Sequence, residues 1–434
     1  MNSFPDGGRV GLSPAELSRW DQQLAADDVS YAAAYPGPPD PGCVHTVYVP
    51  VPKFAEGVPR QWGALALDAI DQQPEQWQSV LEELAGPAAA ELDDVTRAKL
   101  SNEPIEDLRI DFEDGFRAHR GTPEDDAEED GHAVRAARIA AAGQMPRSWG
   151  LRIRSLSGAT RRRGLRTLDL FLTELLHGSG LPPGFVLTLP KVTSLAQIDV
   201  FCEVLAALES ANGLPAGSLR FEIQVETPQT VLDANGTVPV TRMIHAAGGR
   251  VSGLHFGTYD YTASLGILGA YQNLRHPVAD FAKELMMLAA AETGVRVSDG
   301  SDNRVPVGNP ETVARRWATH AQGVGRALRG GIYQGWDLHP AQLPSRFAAT
   351  FAFFREGWTD AAVRLGDYHR QVPGIGGVLD EPATAFPLAR HLAAALACGA
   401  VSELEIDAAA GIDSSVVQRY LVRGAPPGVA AGRQ

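Results

Sequence analysis

Short apolar runs rich in β-branched residues alternate along most of this chain with longer amphipathic stretches, the pattern of strands that each feed a helix. His45–Val51 reads as the first strand, and a helical stretch from Trp77 to Leu100 follows it. Leu108–Phe112, Gly150–Arg154, Phe185–Leu189, Leu219–Val225 and Val251–Phe256 read as five more strands, with a weaker one at Gly294–Val297 and a last one at Gly331–Leu338. Helical periodicity lies between and after them, over Leu165–Leu176, Leu195–Ala211, Val238–Ala247, Phe281–Ala291 and Pro344–Arg355. Strict alternation implies parallel strands joined by crossovers. Eight such units predict an α/β protein built as a (β/α)8 TIM barrel rather than an open doubly wound sheet. The expected organisation is an N-terminal extension over 1–42, a catalytic barrel over 43–360 and a C-terminal helical segment over 361–434 with a role in oligomerisation.

Composition narrows the function. The 434 residues are 44% hydrophobic, enough for a full core. A net charge of -14 argues against a nucleic-acid partner or an anionic membrane surface. Cys43, Cys202 and Cys398 are widely spaced, with no zinc or redox pattern, and suit a reducing cytoplasmic setting. Met1–Arg9 has no apolar signal-peptide core, and no apolar run is long enough to predict a membrane helix. No glycine-rich nucleotide fingerprint follows any strand. The acid-rich run Pro123–Gly131 is expected to be a solvated loop, and Arg161–Arg163 with Arg166 a solvated helix start.

In a barrel of this kind the chemistry gathers where strands end. Those ends carry Asp111-Phe112-Glu113-Asp114-Gly115, Arg152 and Arg154, Lys191, Glu226, Asp260, and Asp337 with His339. Glu226 and Asp260 follow two neighbouring strands, so they share a rim and can hold one hard divalent cation. The alternative is a structural ion pair between Glu226 and Lys191 or an arginine. Arg152 is placed to hold a carboxylate or a developing enolate oxygen, or to bridge Glu113 or Asp114. Arg154 is expected on the same face as Arg152. Lys191 among carboxylates keeps a high pKa, which favours an electrostatic role over a Schiff base.

These segments resemble those of the citrate lyase beta-subunit and HpcH/HpaI aldolase-like enzymes. The likeness rests on Asp111–Gly115, Leu151–Ile153, Leu189–Val192, Glu226-Thr227, Gly257-x-x-Asp260, His339-Pro340-x-Gln342 and Gly377–Pro382, in order from about Val44 to Leu392. Gly257–Ser264 is also similar to the corresponding stretch of malate synthases. The resemblance implies Mg²⁺ (or Mn²⁺) at Glu226 and Asp260, and a substrate-binding Arg152. It also implies a homotrimer or homohexamer in which Asp380 enters a neighbouring site as a base. Arg154 stands where the citrate-lyase-like enzymes often have Asn, and no adenine-binding segment marks coenzyme A use, so a coenzyme A thioester substrate stays open.

The expected function is a Mg²⁺-dependent carbon–carbon lyase, aldolase or Claisen-type condensing enzyme. Its substrates would be 2-oxo acids such as pyruvate or glyoxylate, or their hydroxy-acid adducts, with Asp380, Glu113 or Asp114 moving the proton. The alternatives are a phosphoenolpyruvate-linked phosphotransferase and a non-catalytic metabolite-binding barrel.

Overall fold

The computed structural model describes residues 12–116, 121–177, 180–370 and 382–421. Its centre is a closed barrel of eight parallel strands, each hydrogen-bonded to the next in sequence and the last to the first. The strands are β1 (His45–Pro50), β2 (Asp107–Asp111), β3 (Ser148–Arg152), β4 (Leu187–Leu189), β5 (Phe221–Val225), β6 (Val251–Phe256), β7 (Arg296–Ser301) and β8 (Gln334–Asp337). The expected (β/α)8 architecture is therefore present, with helices outside the barrel and further helices after β8. Among the described residues no helix is long and apolar enough to cross a membrane.

Residues alternate between two faces along a strand, and both faces here are covered. In β2, Leu108 and Ile110 pack in the apolar layer under the helices, while Asp107 and Arg109 face the barrel interior. In β5, Phe221, Ile223 and Val225 lie in that apolar layer and Glu222 turns inward. The interior is accordingly polar. Arg109 meets Glu222 at 2.9 Å and donates to Thr188 Oγ1 at 3.0 Å. His255 Nε2 lies 3.2 Å from Glu222, and Trp336 Nε1 donates to His255 Nδ1 at 2.9 Å. Such buried charges persist only because they are mutually paired.

Several boundaries differ from expectation for local reasons. β3 stops at Arg152, two residues early, so Arg154 lies beyond the strand. β4 keeps three residues, with Phe185 contributing an isolated bridge to Trp149. β7 runs on through the polar Ser298–Ser301, which carries no apolar signal. β8 starts later because Gly331 turns with φ +86°.

The acid-rich run is not a loop. It opens the helix Pro123–Ala142, capped by Thr122, with Glu124, Asp125 and Asp126 in the first turn, where the helix dipole favours negative charge. Glu129 is buried on Arg154 at 2.8 Å, and Asp130 pairs with Arg163 and Arg166 of the helix Arg161–Leu176. Arg163 is thus buried against the neighbouring acidic helix, whereas Arg161, Arg162 and the paired Arg166 are exposed, as expected of a solvated helix start. The C-terminal helices Pro382–Cys398, Glu403–Ala410 and Ser414–Arg419 contribute Leu392, Ile406 and Val417 to the same hydrophobic core as the barrel, joined by Tyr420 just after the last of them.

Candidate active site

The carboxyl-terminal rim is assembled from five consecutive strand ends. Asp111, the last residue of β2, folds the turn after it by accepting from the backbone N–H groups of Glu113 (3.0 Å) and Gly115 (2.7 Å). Gly115 is required there, since a Cβ would stand 2.4 Å from Asp111 Oδ2. The same carboxylate receives both prongs of the Arg152 fork, Nε and Nη2, each at 2.7 Å. Both side chains are buried, and the pair is bidentate and charge-assisted.

Arg152 Nη1 is left facing the site. It donates to Asp114 Oδ2 at 3.3 Å and Gln224 Oε1 at 3.2 Å, with Glu113 at 3.7 Å, and the guanidinium lies over the Tyr48 ring at 4.8 Å. Burial opposes its charge, but Asp111, Asp114 and Glu113 outweigh burial and hold it firmly ionised. The expected bridges to Glu113 and Asp114 are present, though Asp111 is the principal partner.

Lys191 follows β4 with φ +51°, a left-handed conformation costly for a side-chain-bearing residue. The turn aims its backbone N–H at Glu226 Oε1, 2.7 Å away, and sends its ammonium to three carboxylates. Those are Glu113 Oε1 at 2.6 Å, Asp114 Oδ1 at 3.0 Å and Asp260 Oδ2 at 3.1 Å. Burial works against the ammonium, but Glu226 and Glu113 outweigh it and hold Lys191 well above an ordinary lysine. A neutral, nucleophilic amine is excluded by these surroundings.

Glu226 and Asp260 are brought to one rim by the parallel pairing of β5 with β6, in which Val225 lies beside Phe256. Asp260 sits in the first turn of the helix Thr258–Ser264, 43% exposed. Glu226 is only 1% exposed, and its second oxygen accepts from Gln224 Nε2. Burial pushes its carboxyl up to about 8; Lys191 and Arg152 pull it down without compensating, and Asp260 and Glu113 add repulsion. Burial likewise pushes Glu113 up to about 7, whereas Arg152 and Lys191 bring Asp114 below the ordinary carboxylate range. Adjacent acids driven apart in this way suit opposite proton-transfer roles.

A hard divalent cation fits this donor set. Glu226 is a buried carboxylate short of positive charge, the donors are all oxygens, and Mg²⁺ takes one or two carboxylates and keeps waters. Among the described residues no three His, Cys, Asp or Glu side chains form a ready cation cage.

Gly257 sets the position of Glu226. A Cβ at Gly257 would lie 2.3 Å from Glu226 Cβ and 2.5 Å from Oε2, although its φ of -96° suits any residue. Gly257→Ala is therefore expected to cost ~1–3 kcal/mol by overpacking and to displace Glu226. Urea unfolding with and without Mg²⁺ checks both effects; an unshifted midpoint would count against this packing.

Other strand-end residues are not in the cluster. Arg154 turns to Glu129 and to the Phe116 ring at 5.4 Å, away from the face of Arg152, because the strand has already ended. Asp337 is buried against His45, His320 and Arg346, and His339 Nδ1 accepts from the Ala341 N–H to cap a short turn. Asp380 lies outside the described residues. Asp111 and Gln224, which orient Arg152 and Glu226, carry no assigned role in the sequence reading. Their signal is the inward row of β2 and β5, Asp107-Arg109-Asp111 and Glu222-Gln224-Glu226.

The fold and rim define a (β/α)8-barrel protein with an acidic carboxyl-terminal site. The chain belongs to the family described as "Domain of unknown function (DUF6986)", whose model matches residues 24–423. A citrate lyase from Burkholderia xenovorans LB400 is similar in structure, with a TM-score of 0.54 at 20% identity over 73% of this chain and 91% of that one. A Haloferax volcanii malate synthase solved with magnesium and glyoxylate matches with a TM-score of 0.46 at 15% identity, over 70% of this chain and 74% of that one. CitE from Mycobacterium tuberculosis, solved with magnesium, acetoacetate and coenzyme A, also matches at 0.46 and 16%, over 84% of this chain and 98% of its own. No protein of curated function matches. The fold is thus shared with that citrate lyase.

Proposed function

We propose that this chain is a divalent-cation-dependent carbon–carbon lyase, aldolase or Claisen-type condensing enzyme. It would act on a 2-oxo acid such as pyruvate or glyoxylate, or on a hydroxy-acid adduct, through an enolate. The observation that carries the reading is Glu226: a buried carboxylate under-compensated by its neighbours, on the same rim as Asp260, Lys191 and Arg152.

Glu226 and Asp260 would hold Mg²⁺, or Mn²⁺ in its place. When bound, the cation supplies Lewis-acid charge for an enolate oxygen. The chain's own residues do the rest. Arg152, locked by Asp111, presents Nη1 to a substrate carboxylate or enolate without losing its orientation. Glu113, near neutrality and 2.6 Å from Lys191, carries the proton as base and then as acid. Lys191 keeps its ammonium between Glu113 and Asp114 and stabilises whichever of them is ionised. Asp380 is the second candidate base, supplied across a trimer or hexamer. The fold's relative solved with coenzyme A makes a thioester partner a further candidate substrate.

The test is exchange of the pyruvate methyl protons for deuterium, followed by NMR with Mg²⁺ present. Exchange is expected to need the cation and to fall about 10²-fold or more in Glu113→Gln. Exchange that persists in Glu226→Ala, or with the cation chelated, would sink the proposal.

A further inference from the structure

One cavity lies not at the rim but at the opposite, amino-terminal end of the barrel. It holds about 380 Å³ and is lined by segments far apart in sequence: Pro38–Val44 before β1, the end of the helix Pro277–Ala290 with the start of β7, the turn before β8, Phe354, and the helix Pro382–Cys398. The segment before β1 is stapled beneath the barrel, where Gly37 exchanges backbone hydrogen bonds with Glu292 O (2.9 Å) and the Gly294 N–H (2.8 Å). Met287, Val295, Tyr333, Phe354 and Phe386 make the walls apolar.

Arg296, the first residue of β7, also lines this cavity. Its side chain lies against Gly42, where a Cβ would stand 2.7 Å from Arg296 Cδ and 3.0 Å from Nη1. Among the described residues Arg296 makes no ion pair, and its fully covered Nε has no hydrogen-bond partner. The acids nearby make no contact pair with it: Asp40 is exposed, Glu292 is half-buried at the cavity wall, and Glu222, though within electrostatic reach of Arg296, is engaged by Arg109 and His255 inside the barrel. The neighbouring positive charges are Arg220, and Arg390, which donates to Pro39 O at 3.4 Å and lies over Phe386. A half-buried guanidinium beside other cations, with no carboxylate in contact and only the shared Glu222 within reach, gains from an anion that joins it.

We infer that this cavity is a second ligand site that takes a small amphipathic carboxylate, its head on Arg296 and its apolar body against Met287, Phe354 and Phe386. The volume falls in the range of small-molecule sites. At about 30 Å³ for each water-sized group it admits roughly a dozen heavy atoms. A medium-chain fatty acid has that size and chemistry. Acetate lacks the apolar body, and an alcohol of the same chain length lacks the charge.

The experiment is calorimetry of the full chain with octanoate, 1-octanol and acetate, with EDTA present to keep the rim free of divalent cations. Octanoate is expected to bind once per chain, and octanol and acetate at least about tenfold more weakly. Arg296→Met keeps the apolar stem and is expected to weaken octanoate about tenfold or more while leaving octanol unchanged. Equal affinity for octanoate and octanol, or undiminished octanoate binding by the folded Arg296→Met variant, would overturn the inference. A diazirine-bearing octanoate on the wild-type chain gives an answer that does not depend on the variant's folding. Label on peptides from 287–297 or 386–394 supports the site, and label confined to the Glu226 rim overturns it.

Discussion

Glu226→Gln is expected to abolish the response to Mg²⁺ and to flatten the pH dependence of stability in the cation-free protein. Burial raises the Glu226 carboxyl from 4.5 to about 8, so between these values the folded chain keeps a proton that the unfolded chain has released. Stability then falls as pH rises through that window, because the folded state binds more protons. The penalty is absent below about pH 4.5 and complete above about pH 8, where it amounts to something on the order of 4 kcal/mol. Glutamine cannot ionise, and like protonated Glu226 it keeps an oxygen that accepts from the Lys191 N–H while presenting a donor in place of the oxygen that accepts from Gln224. The variant should therefore match the wild type at low pH and exceed it at high pH. Mg²⁺ should restore the wild type alone, by favouring the ionised carboxylate. Activity should drop on the order of 10³-fold with the loss of several kcal/mol of charge stabilisation. Urea unfolding across this pH range, with EDTA and with Mg²⁺, reads all the stability effects. Glu113 titrates in the same window, so the difference between the two curves is the quantity to compare. Parallel curves, or equal stabilisation of both proteins by Mg²⁺, would refute the assignment.

The rim was legible because strand alternation puts one charged residue after each apolar run. Phe221, Ile223 and Val225 announce β5, and Glu226 follows directly. The pairing of β5 with β6 then makes Glu226 and Asp260 neighbours, as the order of the strands implies. What stayed hidden depends on partners far away in sequence. Nothing local says that Arg152 selects Asp111 from three acids within four residues; the choice comes from the register of β2 against β3, which sets Asp111 beside Arg152. Arg154 was misread because alternation holds only within a strand, and β3 ends at Arg152. The acidic helix looked like a loop because its stabilising arginines lie on the following helix, at Arg163 and Arg166. Asp337 looked like a rim residue, but Arg346, His45 and His320 draw it into the layer outside the barrel. The amino-terminal cavity has no sequence signature at all, since its walls come from segments far apart in the chain.

Arg152→Met is expected to destabilise the chain by ~3–5 kcal/mol, the cost of leaving a buried ion-pair partner alone. Asp111 would keep its backbone donors at Glu113 and Gly115 but lose both guanidinium contacts at 2% exposure. Arg152 is also the strongest influence holding Glu113 down, so its removal should push that carboxyl above about 7 and move the alkaline-going limb of any pH–rate profile upward. Arg152→Lys keeps the charge but cannot fork onto Asp111, contact Gln224 and cover the Tyr48 ring together, so it should recover only part of the loss. The second replacement that separates structure from chemistry is Asp111→Asn. In the Asp111→Asn/Arg152→Met pair no orphaned charge remains at Asp111, and much of the stability should return, giving a coupling of about 1–3 kcal/mol. Proton exchange on pyruvate should not return, because Nη1 and the substrate contact proposed for it are still missing. Recovery of both together would make Arg152 a structural residue only. A single Arg152→Met variant within about 1 kcal/mol of the wild type would contradict the burial argument.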